Sequence, residues 1–447
     1  MSAFLPAPER YAAHLHYVSN AFDKAMDRAG ADTAVVYAGG LHYYFLDDSS
    51  YPFRSNPHFL YWLPLPELSD SYVVYRTGQK PTLLYYQPAD YWHAVPGDPD
   101  PYWADHFDVI PIQSVADAKA SLPDGIRSPI LLGELQNDEQ ALGIERINPS
   151  AGLNSLNISR VTKTEYELEH MREANRLGAI AHRAAAAAFH TKTASEYAIH
   201  LAYLESIGFV DNDLPYHSIV GLNENAAVLH YQHREREVPA EVRSFLIDAG
   251  ARSGGYASDI TRTYTTSDGL FADLIKAMVR LQQGLCQRVT AGTHYPDLHE
   301  VMHQELAKLL VDSGLGRGSA DALLERGITR ALLPHGLGHY LGLQVHDVAG
   351  HLADEKGTAT ERPEKDPNLR LTRGLADNEV VTIEPGLYFI DMLLEPIRAG
   401  DDSELLDWKM IDALKPFGGI RIEDNVRVNG QTPENLTRDA FAGLVNQ

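Results

Sequence analysis

Four acidic side chains stand in segments that otherwise look like buried β-strands. Asp248 lies in SFLIDAG, Asp259 in YASDITRTYTT, Glu384 in EVVTIEPGLYF and Glu423 in GGIRIEDNVRV. A carboxylate in the middle of a buried strand is costly unless it has a partner. Asp259 follows Asp248 after a Gly-Gly turn, so the pattern predicts a hairpin that brings these two carboxylates face to face. Either aspartate alone would be read as a cap or a buried ion pair, but the set points to a site.

Inward carboxylates in one domain repel one another and disfavour folding unless positive charge is supplied. Bound divalent cations are the natural source of that charge. One alternative stays open at Glu423. The two-residue period of a strand puts Arg421 on the same face, where the two side chains could form a purely structural salt bridge.

A histidine-rich segment, PHGLGHYLGLQVHD, offers nitrogen ligands for such ions. His335, His339 and His346 stand four and seven residues apart, with glycines that let the backbone approach an ion closely. Each could equally be a solvated or core histidine on one helix face. Hard oxygen donors with a single imidazole suit manganese, magnesium or cobalt, and zinc is also possible. Two ions about 3.5–4 Å apart can activate water and polarise a carbonyl, which is hydrolytic chemistry.

The elements before residue 160 predict an α/β domain, residues 1–160. The runs TAVVYAG, SYVVYRTG, PTLLYYQP and SPILLGEL are apolar, rich in β-branched or aromatic residues, and end at turn formers, as buried strands do. A helix is predicted over about residues 11–29. The segment 47–66 is dense in Pro, Ser and aromatic residues, which favours an irregular surface loop.

A second domain, residues 161–447, is predicted to begin just before a pair of helices. Thr164 with Glu167 forms one capping box, and Thr193 with Glu196 forms another. Strong helix formers follow each box. Two more helices are predicted between the strands that carry the acidic residues, at about 269–291 and 296–314. The fold class is therefore mixed α and β, with an α/β domain before a larger catalytic domain.

Composition excludes several classes of function. A formal net charge of −23 over 447 residues, with Lys and Arg scattered among acidic residues, argues against nucleic acid as a partner. No segment approaches the ~18 apolar residues that span a bilayer, so no membrane partner is expected. The single cysteine, Cys286, lies in a helical pattern and is expected to pack in the core. The N-terminus lacks a secretory signal pattern, which makes the cytoplasm the expected compartment.

The five candidate ligands occur in an order that resembles a known family. Asp248, Asp259, His339, Glu384 and Glu423, in IDAG, SDITRT, HGLGHYLG, IEPG and RIEDN, are similar to the ligands of the pita-bread (creatinase/aminopeptidase) metallopeptidases. Within them the chain looks most like the bacterial prolidases, or Xaa-Pro dipeptidases, including the organophosphorus acid anhydrolases. The segment FLDDSSYPFRSNPHFLYW resembles the same subgroup.

The resemblance implies a role for each ligand. Asp248 would bind one ion with both oxygens, Asp259 and Glu423 would bridge two ions, and His339 with Glu384 would hold the second. The ions would be two per subunit, with manganese expected and cobalt, magnesium or zinc as alternatives. A bridging hydroxide would attack the carbonyl before the imide nitrogen of proline, with Glu384 as proton shuttle.

The resemblance also implies residues that act beside the ions. His346 would stabilise the oxyanion of the tetrahedral intermediate. His230 and His335 match active-site histidines of the family, and Arg421 matches an arginine beside the bridging glutamate. Tyr216 would line the substrate pocket.

Chain-length specificity depends on one arginine. Arg370 in NLRLTRGL precedes Glu384 by fourteen residues, where prolidases carry an arginine for the free carboxylate of a dipeptide. Such a clamp favours dipeptides, whereas an aminopeptidase leaves that end open. Arg373 lies in the same segment, and either arginine could be a surface charge. An Xaa-Pro aminopeptidase on the same fold is therefore the nearest alternative.

Three further expectations rest on the resemblance. The first is a homodimer in which the N-terminal domain takes part, with Asp48 and Trp92 reaching towards the partner's site and binding substrate. The second is a side activity on organophosphate triesters. The third is that a non-catalytic pita-bread binding protein, or a metal-free creatinase-like hydrolase, is disfavoured because all five ligands are present.

Overall fold

The computed structural model describes residues 4–444 of the chain. Its fifteen strands are short, and several are interrupted where the sequence suggested one continuous strand. The strands are β1 Thr33–Tyr37, β2 Tyr72–Tyr75, β3 Thr82–Tyr86, β4 Asp108–Ile112, β5 Pro129–Leu132, β6 Ile219–Leu222, β7 Ser244–Asp248, β8 Arg252–Ser253, β9 Tyr256–Ala257, β10 Thr261–Thr265, β11 Val380–Ile383, β12 Gly386–Tyr388, β13 Gly419–Arg421, β14 Asp424–Arg427 and β15 Glu434–Asn435.

The helices fall into a long set that builds the core and a short set that closes loops. They are α1 Pro8–Ala29, α2 Pro57–Leu60, α3 Pro101–Ala104, α4 Val115–Ala120, α5 Ser150–Ser159, α6 Glu165–His190, α7 Glu196–Ile207, α8 Leu270–Cys286, α9 Tyr295–Asp312, α10 Ala320–Glu325, α11 Ile328–Leu332, α12 Asp391–Ala399, α13 Trp408–Leu414 and α14 Leu436–Gly443. The mixed α and β fold class is confirmed.

The first 160 residues contain one five-stranded sheet in the order β4-β3-β2-β1-β5. The four predicted strands and the N-terminal helix are present in it or beside it. Edge strand β4 was missed, because its sequence DVIPI holds a proline and is mostly exposed. The prediction of a surface loop over 47–66 is wrong in its second half. Residues 59–63 include Trp62, fully buried beside Phe22 with ring centroids 4.9 Å apart.

The remaining strands form a three-stranded sheet β10-β7-β6, a second β11-β14-β15, and two small pairs. Isolated bridges, Thr261 to Glu423 and Tyr340 to Val381, join strands that are far apart in sequence. The predicted position of the acidic residues in mid-strand needs correction. Asp248 ends β7 and pairs in register with Thr261, while Asp259, Glu384 and Glu423 stand just outside strands, where the ladder is broken.

The helices after residue 160 start where capping chemistry allows. The side chain of Thr164 accepts a hydrogen bond from the backbone amide of Glu167, and the side chain of Glu167 accepts one from the backbone amide of Thr164. This capping box is therefore confirmed. The second box is wrong: the N-cap of α7 is Ser195, which accepts from Ala198. Cys286 is a buried free thiol in α8, as expected.

One apolar cluster joins the two halves of the chain. It combines the inner face of α1 and the β1–β3 side chains with Tyr166 and Met171 of α6, and with Leu341 and Val380 beyond them. A second cluster lies between α8, α9 and the strands β11 to β14. None of the helices in residues 4–444 is both long enough and apolar enough to cross a membrane.

Candidate active site

Strand breaks in the second half of the chain bring acidic groups and one imidazole together. Ligand atoms of Asp259, His339 and Glu423 all lie within 4.8 Å of one another, and the three residues are buried. Nε2 of His339 is 3.5 Å from Oδ2 of Asp259 and 3.8 Å from Oε1 of Glu384. Asp248 joins the group through a shared tyrosine. All five residues expected to bind metal therefore meet at one place.

Tyr216 lies under the two aspartates. Its hydroxyl is 2.7 Å from Oδ1 of Asp248 and 2.6 Å from Oδ1 of Asp259. A hydroxyl carries one proton, so Tyr216 can donate to only one of the two carboxylates at a time. Tyr216 was expected to line the substrate pocket, which stays a prediction; its hydroxyl contacts two carboxylates of the pocket wall.

The carboxylates are held by a small number of polar groups. Arg421 donates from Nη2 to Oδ2 of Asp248 at 2.7 Å, so the alternative salt bridge between Arg421 and Glu423 is wrong. Glu423 instead accepts from the hydroxyl of Thr261 at 2.7 Å. These donors fix the carboxylates in place while leaving oxygen lone pairs free.

His339 is oriented by the backbone carbonyl of the next residue, Tyr340. Its Nδ1 lies 2.8 Å from the carbonyl oxygen of Tyr340, to which it donates. Because a carbonyl oxygen only accepts, Nδ1 carries a proton, and Nε2 is the nitrogen that faces the carboxylates. Metal-binding histidines are typically fixed in this way.

The charge balance of the cluster favours cations. Burial, followed by the charges of Asp259 and Glu384, raises the pKa of Glu423 well above its ordinary value. Burial also raises the pKa of Glu384 to about 7, and that of Asp248. Burial opposes ionisation of Asp259 too, but the adjacent His339 lowers its pKa. Oxygen-rich donors that resist ionisation together fit divalent cations, which would hold all of them as carboxylates.

A pocket of about 440 Å³ opens onto this cluster. His230, His335, His346 and Arg370 line it together with the candidate ligands. Arg370 is exposed, whereas the other arginine of its segment, Arg373, donates to the carbonyl of Leu352 at 2.7 Å. Asp48 and Trp92 lie outside this pocket of their own chain; both are exposed, Trp92 by 77%.

The loop that carries His346 is fixed by buried charges. The next residue, Asp347, is 2.5 Å from Nη2 of Arg160 and 3.1 Å from Nζ of Lys163, and the three side chains are at most 2% exposed. His346 itself packs edge-on against His339, with ring centroids 4.4 Å apart. Burial, followed by the charge of His339, lowers the pKa of His346 to about 4.

Sequence reasoning missed several residues of the site. Tyr388 accepts from Arg421 at 2.9 Å and lies 2.8 Å from Nε2 of His335, which links the arginine to the histidine. Arg362 lines the pocket and lies beside His351. No local pattern identifies Tyr388. A second metal-compatible cluster, which the motif HEVMH at 299–303 could have indicated, is formed by His299, His303 and Asp366.

The chain has an N-terminal α/β unit followed by a domain that buries a cluster of carboxylates and an imidazole. This arrangement is that of a metal-dependent hydrolase, and sequence similarity identifies the family. Residues 169–430 match the model of metallopeptidase family M24, and residues 9–158 match the model of the Xaa-Pro dipeptidase N-terminal domain. The chain belongs to metallopeptidase family M24, and the family assignment made from the order of the five ligands is confirmed.

Curated relatives cover nearly the whole chain. The chain is 44% identical over 429 residues to the Xaa-Pro dipeptidase of Shewanella amazonensis, across 96% of this chain and 98% of that protein. The Xaa-Pro dipeptidase of Shewanella oneidensis matches at the same identity and coverage.

Solved structures share the fold at lower identity. Zinc-substituted aminopeptidase P of Escherichia coli, in complex with product, matches with a TM-score of 0.72 at 20% identity, covering 99% of both chains. Proline aminopeptidase P II from Yersinia pestis matches with a TM-score of 0.70 at 21% identity, covering 99% of this chain and 100% of that one.

Proposed function

We propose that this chain is an Xaa-Pro dipeptidase that hydrolyses dipeptides with a C-terminal proline. The observation that carries the proposal is a single pocket whose wall includes both the carboxylate cluster and the exposed guanidinium of Arg370. The first group can hydrolyse an imide bond, and the second can bind the free carboxylate next to it. Relatives that carry this activity in their names align with 96% of this chain.

Two divalent ions would be held by the five clustered residues, Asp248, Asp259, His339, Glu384 and Glu423. We propose manganese as the native metal, because carboxylate oxygens with one imidazole suit it, with cobalt, magnesium or zinc as alternatives. When bound, the ions supply an activated water and polarise the scissile carbonyl. Asp259 and Glu423 would help to hold the ions, since a carboxylate oxygen of each and a ring nitrogen of His339 lie within 4.8 Å of one another.

The remaining residues position and neutralise this centre. Arg421 and Tyr216 hold Asp248 from two sides. Thr261 fixes one oxygen of Glu423 and leaves the other free. Two hydrogen bonds fix the ring of His335 in the pocket wall. Its Nδ1 donates to the carbonyl of Gly336, and its Nε2 contacts the hydroxyl of Tyr388, which also bonds to Arg421.

Two residues of the pocket, Glu384 and His346, are proposed to act on the reacting atoms of the substrate. Glu384, whose side chain is 18% exposed, can take a proton and deliver it to the proline nitrogen as the bond breaks. His346, beside the cluster, can donate a hydrogen bond to the developing oxyanion. His230 lines the same pocket and is exposed, so it can contact the substrate.

Arg370→Ala should raise KM for Ala-Pro by about 10–100-fold and change kcat much less. A hydrogen bond to a charged group contributes about 1.5–3 kcal/mol, and binding shared by substrate and transition state appears in KM. Steady-state kinetics on Ala-Pro measure this. Arg370→Lys should recover only part of the loss, because lysine keeps the charge without the planar fork.

Arg362→Ala is the matched control, since Arg362 lines the same pocket but is offset towards His351. We expect it to change KM by less than threefold, about the level of a lost rim contact. A large KM increase in Arg362→Ala with none in Arg370→Ala would transfer the carboxylate-binding role to Arg362. Unchanged KM in both variants would favour the aminopeptidase alternative.

The proposal also includes the domain boundary and the oligomeric state. We propose a domain boundary at residue 160, between the two matched family segments, and a cytoplasmic homodimer. Exposed apolar side chains near Asp48 and Trp92, including Phe45 and Leu46 at 91% each, form the kind of surface that proteins bury against a partner. Sedimentation equilibrium of the full chain tests the dimer; a monomer at micromolar concentration would contradict it.

A further inference from the structure

Two buried histidines outside the active site lie one helical turn apart on α9. His299 and His303 are 2% and 1% exposed, and their rings meet edge to face with centroids 4.7 Å apart. They are the first and last residues of the segment HEVMH, 299–303. In zinc peptidases this spacing puts two imidazoles on one face of a helix as metal ligands.

These imidazoles lack the partners that buried polar groups require. Within residues 4–444, Nδ1 of His299 and Nδ1 of His303 are buried without a hydrogen-bond partner, and the only contact of Nε2 of His299 with an acceptor, Oδ1 of Asp366, lacks hydrogen-bond geometry. A buried polar atom left in this way costs about 1–3 kcal/mol. A neutral imidazole with a free nitrogen lone pair is the form that binds metal.

Asp366 brings a carboxylate to the same point from a distant loop. Its Oδ1 is 3.3 Å from Nε2 of His299, close to the separation of about 3.3–3.4 Å between two ligands of a tetrahedral zinc ion. Ligand atoms of the three residues all lie within 4.8 Å of one another. Arg330 donates to Asp366 at 2.7 Å, as an outer partner commonly does for a ligating carboxylate.

We propose that His299, His303 and Asp366 form a second metal site, separate from the carboxylate cluster, that binds a zinc-like divalent ion. Two imidazoles and one carboxylate are a nitrogen-rich donor set, which suits zinc better than the oxygen-rich active site does. The proposal does not depend on the dipeptidase activity.

The surroundings assign this site a structural role. In zinc peptidases with the HExxH motif the glutamate is a general base, but Glu300 here is paired with Lys365 at 2.6 Å and Arg330 at 3.0 Å. The two histidines are also too deeply buried to meet a substrate. Because Asp366 is followed by Pro367, Asn368 and Arg370 of the pocket wall, an ion here would tie α9 to the loop that carries Arg370.

Zinc binding by the full-length protein tests this site. After equilibrium dialysis against zinc, elemental analysis should find one fewer ion per chain in His303→Gln and in Asp366→Asn than in the wild type. His294→Gln is the matched control, since His294 caps the same helix with a side chain 52% exposed. It should bind as much zinc as the wild type. Equal zinc content in all four proteins would overturn the proposal.

A measurement on the wild type avoids any failure of the variants to fold. Crystals soaked in zinc should show an anomalous difference peak about 2.0–2.2 Å from a nitrogen of each histidine and an oxygen of Asp366. Hydrogen exchange in residues 361–370 should also slow on zinc addition in the wild type. Anomalous peaks confined to the carboxylate cluster would show that these three residues do not bind the ion.

Discussion

Glu423→Gln should lower kcat on Ala-Pro by about 10³-fold or more while the protein stays folded. Glu423 is 2% exposed among three other acidic groups, and its carboxylate would help to hold the two proposed ions. An amide cannot supply the charge that holds two cations, and bound metal contributes several kcal/mol to the transition state, at 1.36 kcal/mol per tenfold change in rate. Asp259→Asn should behave in the same way. Stopped assays with metal content measured alongside test both.

The fold should survive because the lost charge is one that its neighbours disfavour. Burial and the charges of Asp259 and Glu384 already raise the pKa of Glu423. The circular dichroism spectrum and thermal midpoint of metal-free Glu423→Gln should therefore match those of the metal-free wild type. Near-normal turnover at ordinary manganese concentrations would rule out a bridging role for Glu423.

Substitution of the adjacent residue, Asp424, should lower stability more than turnover, the opposite of Glu423→Gln. Asp424 is fully buried and accepts from Arg262 at 2.7 Å and from Arg438 at 2.7 Å. Removing one partner of a buried ion pair leaves uncompensated charge and costs about 3–5 kcal/mol. Asp424→Asn should therefore lower the midpoint of urea unfolding strongly, while turnover per folded molecule falls far less than in Glu423→Gln. An unchanged unfolding midpoint would contradict this assignment.

The pKa of Asp424 predicts how the stability of the folded protein depends on pH. Burial alone would raise the pKa of Asp424, but the charges of Arg262 and Arg438 lower it to about 2, from an ordinary value of 3.8. A depressed pKa stabilises the folded state above the unfolded pKa, and that contribution, about 2–3 kcal/mol, is lost as pH falls from 3.8 towards 2. The gap in urea midpoint between wild type and Asp424→Asn should thus be largest near neutral pH and narrow below pH 3.8.

The sequence predicts those residues of the site whose side chains conflict with their immediate sequence neighbours. Asp248 and Glu384 stood out because a carboxylate conflicts with an apolar strand, and that conflict is visible within seven or eight residues. Their partners were not predictable. Arg421 reaches Asp248 across 173 positions of sequence, and the bridge between Thr261 and Glu423 depends on how two hairpins pack. The proposed strand pair Arg421 and Glu423 failed for this reason.

The fold shows the same limit. Elements with strong local signals, such as the capping box at Thr164, were predicted correctly. The interruption of each acidic strand was not, because a strand ends where its ladder partner ends, and that partner is distant. The buried Trp62 was placed in a loop because proline and serine around it outweighed its apolar neighbours. His299 and His303 were visible in the sequence as the motif HEVMH, whereas Asp366, which lies 63 residues beyond His303, joins them only through the fold.

One assay of the full-length protein tests whether it is a metal-dependent dipeptidase. The full-length protein is stripped with a chelator and assayed on Ala-Pro and on a longer peptide with proline in the second position, with and without added manganese. We expect no hydrolysis by the stripped protein and, after manganese is restored, cleavage of Ala-Pro with little or none of the longer peptide. Hydrolysis that is indifferent to metal, or cleavage of only the longer peptide, would contradict the claim.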